Sequence, residues 1–298
     1  MKKRALGILL GLLTASSFAV SMDSAAASRK YTDIQNFMRD VAAKSHGNAQ
    51  VFTLGTSDSG EAIEGLQIGN GPINNLVVAA HHGNEYGSTE VAKGVALDLA
   101  ENPIPGQTVW LIPVLNVSGY NNGNRSEKSH DPNRDYPGPC GTEGPFKLKS
   151  THALADFIAE KGIVASATLH TYYPAVVYPW GITTEDLTTP YEELYTQLTA
   201  SAVVESGYQT GNSTKVIYPA DGAYEDYAFW KHGIWSLLFE LGYTHSPNQA
   251  QIDKLVAVNV PGIRRFLMTA PKTRAENHNF TGQCSRTTRM LSRDKHDE

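Results

Sequence analysis

Short apolar runs of strand length alternate along this chain with longer segments of helical period, and no other feature of the sequence constrains its fold as strongly. The runs are Val51 to Gly55, Ala62 to Ile68, Asn75 to Ala80, Thr108 to Leu115, Val164 to Leu169, Val176 to Tyr178 and Ile234 to Phe239. Helical period marks Tyr31 to Ala43, Ser88 to Ala100, Ser150 to Glu160, Tyr191 to Glu205 and Asn248 to Met268. Strands and helices in this order predict an α/β domain with a largely parallel sheet. No repeat or linker divides the pattern, so one domain is expected. With 298 residues, 41% of them apolar and 18% charged, the chain can bury a large core and is not fibrous, collagenous or disordered. A formal charge of −5 speaks against an electrostatic grip on nucleic acid over the whole surface.

The ends differ from the middle. Lys2, Lys3 and Arg4 precede an apolar run, Ala5 to Val20, which leads into Ala25, Ala26 and Ala27. Residues 1–27 therefore read as a secretory signal peptide, and the mature chain as exported, periplasmic or extracellular. The run is shorter than the roughly 20 residues a membrane-spanning helix needs. No later segment is apolar for long enough to cross a bilayer. Cys140 and Cys284 make an even count, which in an exported chain permits one disulfide; two unpaired thiols are the alternative. The tail, residues 271–298, is polar and aperiodic, so without such a tie it is expected to be mobile.

Two segments have little regular pattern, Asn116 to Lys147 and Gly211 to Glu225. Loops this long in a compact domain are often functional, and open α/β sheets bind ligands beyond the carboxyl ends of their strands. Those strand ends carry chemistry. The run to Ala80 is followed by His81, His82, Gly83, Asn84 and Glu85, and the spacing lets His82 and Glu85 meet one divalent ion. His170 follows the run Val164 to Leu169. Two imidazoles and a carboxylate leave one position of a tetrahedral zinc open for water, as a catalytic site requires. The last strand closes on Glu240, which alternation places with Ser236 and Leu238. A carboxylate among apolar neighbours has a raised pKa, as suits a general base. From the first long loop, Arg134 beside Asn133 can fork onto a carboxylate, and Arg125 can stabilise a developing oxyanion. Each of these residues alone also fits an ordinary polar turn, strand end or solvated loop.

Taken in order, the segments resemble the zinc metallocarboxypeptidases of the pancreatic carboxypeptidase A and B superfamily, from Tyr31 to about Met268. His82-Gly83-Asn84-Glu85 matches the family's His-x-x-Glu, and Asn116-Val117-Ser118-Gly119 is similar to its Asn-Pro-Asp-Gly turn. Asp131-Pro132-Asn133-Arg134-Asp135-Tyr136 is similar to Asp-Leu-Asn-Arg-Asn-Phe, Leu169-His170-Thr171-Tyr172 to the segment of the third ligand, and Phe239-Glu240-Leu241 to that of the base. The interval from Tyr218 to Glu240 is the one the family keeps between its capping tyrosine and its glutamate.

The resemblance implies a mixed, mostly parallel eight-stranded sheet sandwiched between helices, with residues 28–270 as the catalytic domain. It implies that His82, Glu85 and His170 bind one Zn²⁺, that Glu240 is the base, and that Arg125 holds the scissile carbonyl oxygen. Asn133 and Arg134 would grip the substrate's terminal carboxylate, Tyr218 would close over it, and Tyr172 would join the substrate-binding residues. Departures are Asn84 in place of an arginine, Val117 and Ser118 in the turn, and Asp135 after Arg134, where it would weaken that cation's field. Glu225 stands at the position lining the side-chain pocket, which favours an amine-bearing terminal residue: lysine, arginine or meso-diaminopimelate. It also has a solvent-facing alternative, or a pairing with Lys231. The export pattern makes murein peptides the expected substrate. A general peptide carboxypeptidase, an N-acyl amino acid deacylase and an inactive peptide-binding relative are the alternatives.

Overall fold

The computed structural model of the chain describes residues 29–182 and 188–284; the expected signal peptide and the last residues of the tail lie outside them. The elements run α1 (Tyr31–Lys44), β1 (Ala49–Thr56), β2 (Ala62–Gly69), β3 (Ile73–Ala79), α2 (Tyr86–Glu101), β4 (Gln107–Ile112), α3 (Val117–Asn122), a 3-10 turn (Pro132–Arg134), α4 (Lys149–Glu160), β5 (Ala165–His170), β6 (Ala175–Tyr178), α5 (Glu192–Ala202), β7 (Gln209–Asn212), α6 (Ser213–Val216), α7 (Tyr224–His232), β8 (Trp235–Glu240) and α8 (Gln249–Thr269). The strands form one eight-stranded sheet in the order β1-β2-β4-β3-β5-β8-β6-β7. Its centre, β4-β3-β5-β8, is parallel, while β1, β2 and the β6–β8 pairing bring in antiparallel neighbours. The fold is thus the α/β class that the pattern predicts, with the mixed eight-stranded sheet that the resemblance implies.

The central strands are buried on both faces, which is why they read as continuous apolar runs. Alternation along β4 shows the sandwich. Gln107 donates from Nε2 to the Leu267 carbonyl of α8 at 2.9 Å, whereas Trp110, on the opposite face, meets Phe157 of α4 edge-on at 5.2 Å. Helix α8 starts with a reciprocal cap in which Asn248 and Gln251 satisfy each other's backbone N–H groups.

Five elements have no counterpart in the hydrophobic pattern: α3 and the 3-10 turn within Asn116 to Lys147, and β7, α6 and α7 in or beside Gly211 to Glu225. Strand β7 is a short polar edge strand, Gln-Thr-Gly-Asn, with no apolar alternation to reveal it. Helix α7 hides for the opposite reason: Tyr224, Glu225, Asp226, Tyr227, Ala228 and Phe229 are all buried, so no exposed face interrupts the run and no 3.6-residue period appears. Among the described residues, no helix is long and apolar enough to cross a membrane.

The near part of the tail is tied down. Cys140 and Cys284 form a disulfide that spans 144 residues of sequence. Arg274 donates to the carbonyls of Ile163 and Ile158 at 2.7 and 2.8 Å, and Ala275 N–H to that of Gly233 at 2.7 Å.

Candidate active site

The adjacent parallel strands β3, β5 and β8 bring their carboxyl ends to one edge of the sheet, and their register decides what meets there. Ala79 pairs with Leu169, and His170 with Glu240. Beyond β3 the chain turns sharply: Ala80 adopts a φ of 51°, a left-handed conformation that costs energy in a residue with a Cβ. Ala80 is held there by its N–H on Ser88 Oγ at 3.2 Å and its carbonyl on Asn116 N–H at 3.0 Å. Gly83 lets this turn lie directly on α3, because a Cβ at that position would come within 2.1 Å of the Gly119 backbone. The turn delivers Glu85 to the start of α2.

The three side chains named as metal ligands converge. His82 Nδ1 lies 2.7 Å from Glu85 Oε1, His170 Nδ1 lies 3.0 Å from Glu85 Oε2, and the two Nδ1 atoms are 3.2 Å apart. All three residues are buried, and their ligating atoms lie within 4.8 Å of one another. Burial works against ionisation of Glu85, but the two imidazoles outweigh it and hold its carboxyl far below the ordinary range. Two imidazole nitrogens and an ionised carboxylate facing one point suit a divalent ion such as zinc, and the small donor count leaves room for a further ligand. Among the described residues no other cluster of histidine, cysteine, aspartate and glutamate has this property.

His82 presents its other ring nitrogen, Nε2, to Asp131 Oδ1 at 2.8 Å. Asp131 Oδ2 accepts from Arg125 Nε and Nη2 at 3.0 and 2.9 Å, and Arg125 Nη1 stands 3.6 Å from Glu85 Oε1. Glu240 has one carboxylate oxygen, Oε2, that is buried and without a hydrogen-bond partner. Burial, with the nearby Glu85 charge, pushes its pKa up to about 8.

A narrow cavity leads inward from this cluster. Its walls include Asn133, Arg134, Tyr218, Glu225, Asp226 and Glu240. Asn133 Oδ1 accepts the Tyr224 N–H at 2.8 Å, and its Nδ2 donates to Glu225 Oε2 at 3.5 Å. Glu225 Oε1 also accepts from the Thr168 hydroxyl, so this carboxylate is neither solvent-facing nor paired with Lys231. On the other side a wider cleft of ≈ 380 Å³ is bounded by Arg125, Tyr172, Tyr173, Ile217, Tyr218 and His245. Tyr218 borders both spaces; it is 51% exposed, and the Arg134 guanidinium lies 5.9 Å from its ring centre.

Residues 34–262 match the zinc carboxypeptidase family. The chain belongs to that family. This carboxypeptidase is 25% identical over 251 residues to carboxypeptidase B of Astacus astacus, an alignment covering 68% of this chain and 82% of the relative. Its fold is similar to that of bovine thrombin-activatable fibrinolysis inhibitor, solved with a tick carboxypeptidase inhibitor, with a TM-score of 0.73 and 17% identity over 81% of this chain and 96% of the other. It is also similar to that of the murein-tripeptide amidase MpaA of Escherichia coli O157, with a TM-score of 0.52 and 15% identity over 72% and 91% of the two chains.

The carboxylate of Asp135, the residue after Arg134, accepts the N–H groups of Lys147 and Leu148 at 2.9 and 3.0 Å and the Thr151 hydroxyl at 2.5 Å, at the start of α4. Two residues were given no role from the sequence. Asp131 orients His82, and the signal was available in the rule that a ligating histidine passes its second nitrogen to a carboxylate. His245 accompanies Tyr172, with its ring 4.9 Å from the tyrosine's and Nδ1 3.0 Å from Thr171 Oγ1; no spacing in the sequence marks it.

Proposed function

We propose that this carboxypeptidase is an exported, zinc-dependent exopeptidase that removes amine-bearing C-terminal residues from peptides, murein peptides among them. The observation that carries the reading is the convergence of His82, Glu85 and His170 beside the unpartnered carboxylate oxygen of Glu240.

His82, Glu85 and His170 would hold one Zn²⁺, which when bound supplies Lewis acidity toward the attacking water and the scissile carbonyl. Glu240 takes a proton from that water and later gives it to the leaving amine; a raised pKa suits both directions of transfer. Arg125, anchored on Asp131, places positive charge where the carbonyl oxygen becomes anionic. Asn133 and Arg134 bind the free carboxylate, and Tyr218 covers it. Recognition of that terminal charge restricts cleavage to the last peptide bond. Glu225 adds a buried negative charge to the cavity wall, which favours a cationic side chain in the departing residue. The likeness of fold to a murein-tripeptide amidase and the leader-like residues 1–27 support a cell-wall peptide carrying diaminopimelate as one such substrate. Tyr172 lines the cleft on the opposite side of Glu240, where it would contact the part of the substrate preceding the scissile bond.

Mature protein incubated with peptides ending in lysine, arginine, leucine or diaminopimelate, with and without a chelator, tests this by mass spectrometry. Loss of a single terminal residue, fastest from amine-bearing ends and abolished by the chelator, is expected. Equal release of leucine would make it a general carboxypeptidase; binding without product would make it an inactive relative.

A further inference from the structure

The two imidazoles of the proposed metal site are oriented by different means. His82 hands its outer nitrogen to Asp131, as ligating histidines usually do. The outer nitrogen of His170, Nε2, is buried and has no hydrogen-bond partner among the described residues. Against that ring lies His81, stacked at 5.4 Å between centroids with 20° between planes.

His81 has no part in the mechanism above, yet it is fully buried. Its Nε2 lies 3.1 Å from the Tyr136 hydroxyl, and its Nδ1 has no partner. One hydrogen bond therefore fixes the His81 ring, and Tyr136 is itself wedged against Tyr224 at 5.4 Å and Tyr227 at 5.5 Å. A polar pair with an unsatisfied nitrogen costs more to bury than two apolar side chains of the same size. What the pair supplies in return is direction, since a hydrogen bond selects one ring orientation and an apolar contact does not.

We propose that His81, locked by Tyr136, is a positioning residue that holds the His170 imidazole in its metal-facing orientation, doing by ring stacking what Asp131 does for His82 by hydrogen bonding. The inference rests on the metal assignment made above. It also links the metal site to substrate binding, because Tyr136 follows the Asn133–Arg134 turn closely and donates its N–H to the Gly222 carbonyl at 3.1 Å.

The test compares Zn²⁺ affinity, from competition with a chromogenic chelator, and the unfolding midpoint of the metal-free protein. The variants are Tyr136→Phe, His81→Leu, the double variant and, as a control, Tyr227→Phe, whose hydroxyl faces His232 at 3.1 Å instead. Tyr136→Phe should weaken Zn²⁺ binding about tenfold or more, within the range found for partners of metal ligands. The double variant should bind no more weakly than His81→Leu alone, because both changes remove one coupled contact. Tyr227→Phe should bind like wild type. Affinities of Tyr136→Phe and wild type within twofold of each other would overturn the inference, whatever the midpoints do, as would an equal loss in Tyr227→Phe. Should His81→Leu fail to fold, Tyr136→Phe against the control decides alone. A wild-type chain that binds no Zn²⁺ would overturn the metal assignment and this inference together, whereas tight binding by every variant would overturn only the latter.

Discussion

At the scale of single residues, two buried glutamates are distinguished by their partners. Glu225 engages Thr168 and Asn133 with its two oxygens, so it contributes a fixed negative wall; Glu240 keeps one oxygen unpartnered, so it can exchange a proton. Glu225→Gln retains the size and one acceptor while removing the charge. It should lower the ratio of kcat/KM for a C-terminal lysine over leucine by about tenfold, equivalent to ~1.4 kcal/mol. An unchanged ratio, measured on paired peptides, would show that the charge does not select the side chain. Arg134→Ala should raise KM about ten- to a hundredfold with a smaller effect on kcat, because a charge-assisted hydrogen bond contributes about 1.5–3 kcal/mol. A normal KM in initial-rate measurements would place carboxylate binding elsewhere.

At the scale of elements, the ligand turn and α7 make different demands. The turn after β3 depends on the close approach of Gly83 to Gly119. Gly83→Ala should therefore lower the unfolding midpoint and weaken metal binding together, because relieving the clash moves the backbone that carries His82 and Glu85, two of the proposed ligands. A variant with wild-type values for both in a thermal melt and a metal titration would contradict this. Helix α7 buries Asp226 with its two oxygens on the Gly181 N–H. Burial pushes that carboxyl up to about 8 from an ordinary value near 4. Across that window the folded chain keeps a proton that the unfolded chain has lost, so this group's contribution to stability falls as pH rises from about 4 to 8. The stability of Asp226→Asn relative to wild type should accordingly grow with pH over that range, by no more than about 1.4 kcal/mol per unit. A difference in chemical denaturation that is flat with pH would remove the claim. Element visibility followed exposure: β3, β5 and β8 were legible because buried parallel strands are apolar runs with polar ends, whereas α7, whose first six residues are all buried, carries no period.

At the scale of the whole molecule, the sequence showed the order of strands and helices and the chemistry at the strand ends, but the distances between those ends belong to the sheet register alone. Nothing in the spacing of His82, His170 and Glu240 states that β5 and β8 are neighbours, and the resemblance supplied what local pattern lacked. Asp131 and Asp135, close in the chain, took opposite tasks because one faces the ligand turn and the other the start of α4. The Cys140–Cys284 bond closes a loop spanning 144 residues of sequence. Replacing both cysteines by serine should cost about 2–5 kcal/mol, read from denaturant unfolding; a loss below about 0.5 kcal/mol would mean that the tail's hydrogen bonds alone hold it. Whether His82, Glu85 and His170 hold one metal with Glu240 as the base is read from Glu240→Gln assayed for zinc content and turnover on one preparation. One equivalent of zinc, as in wild type, is expected, with kcat reduced at least about a hundredfold; turnover equal to wild type, or loss of the zinc with the base, would contradict the assignment.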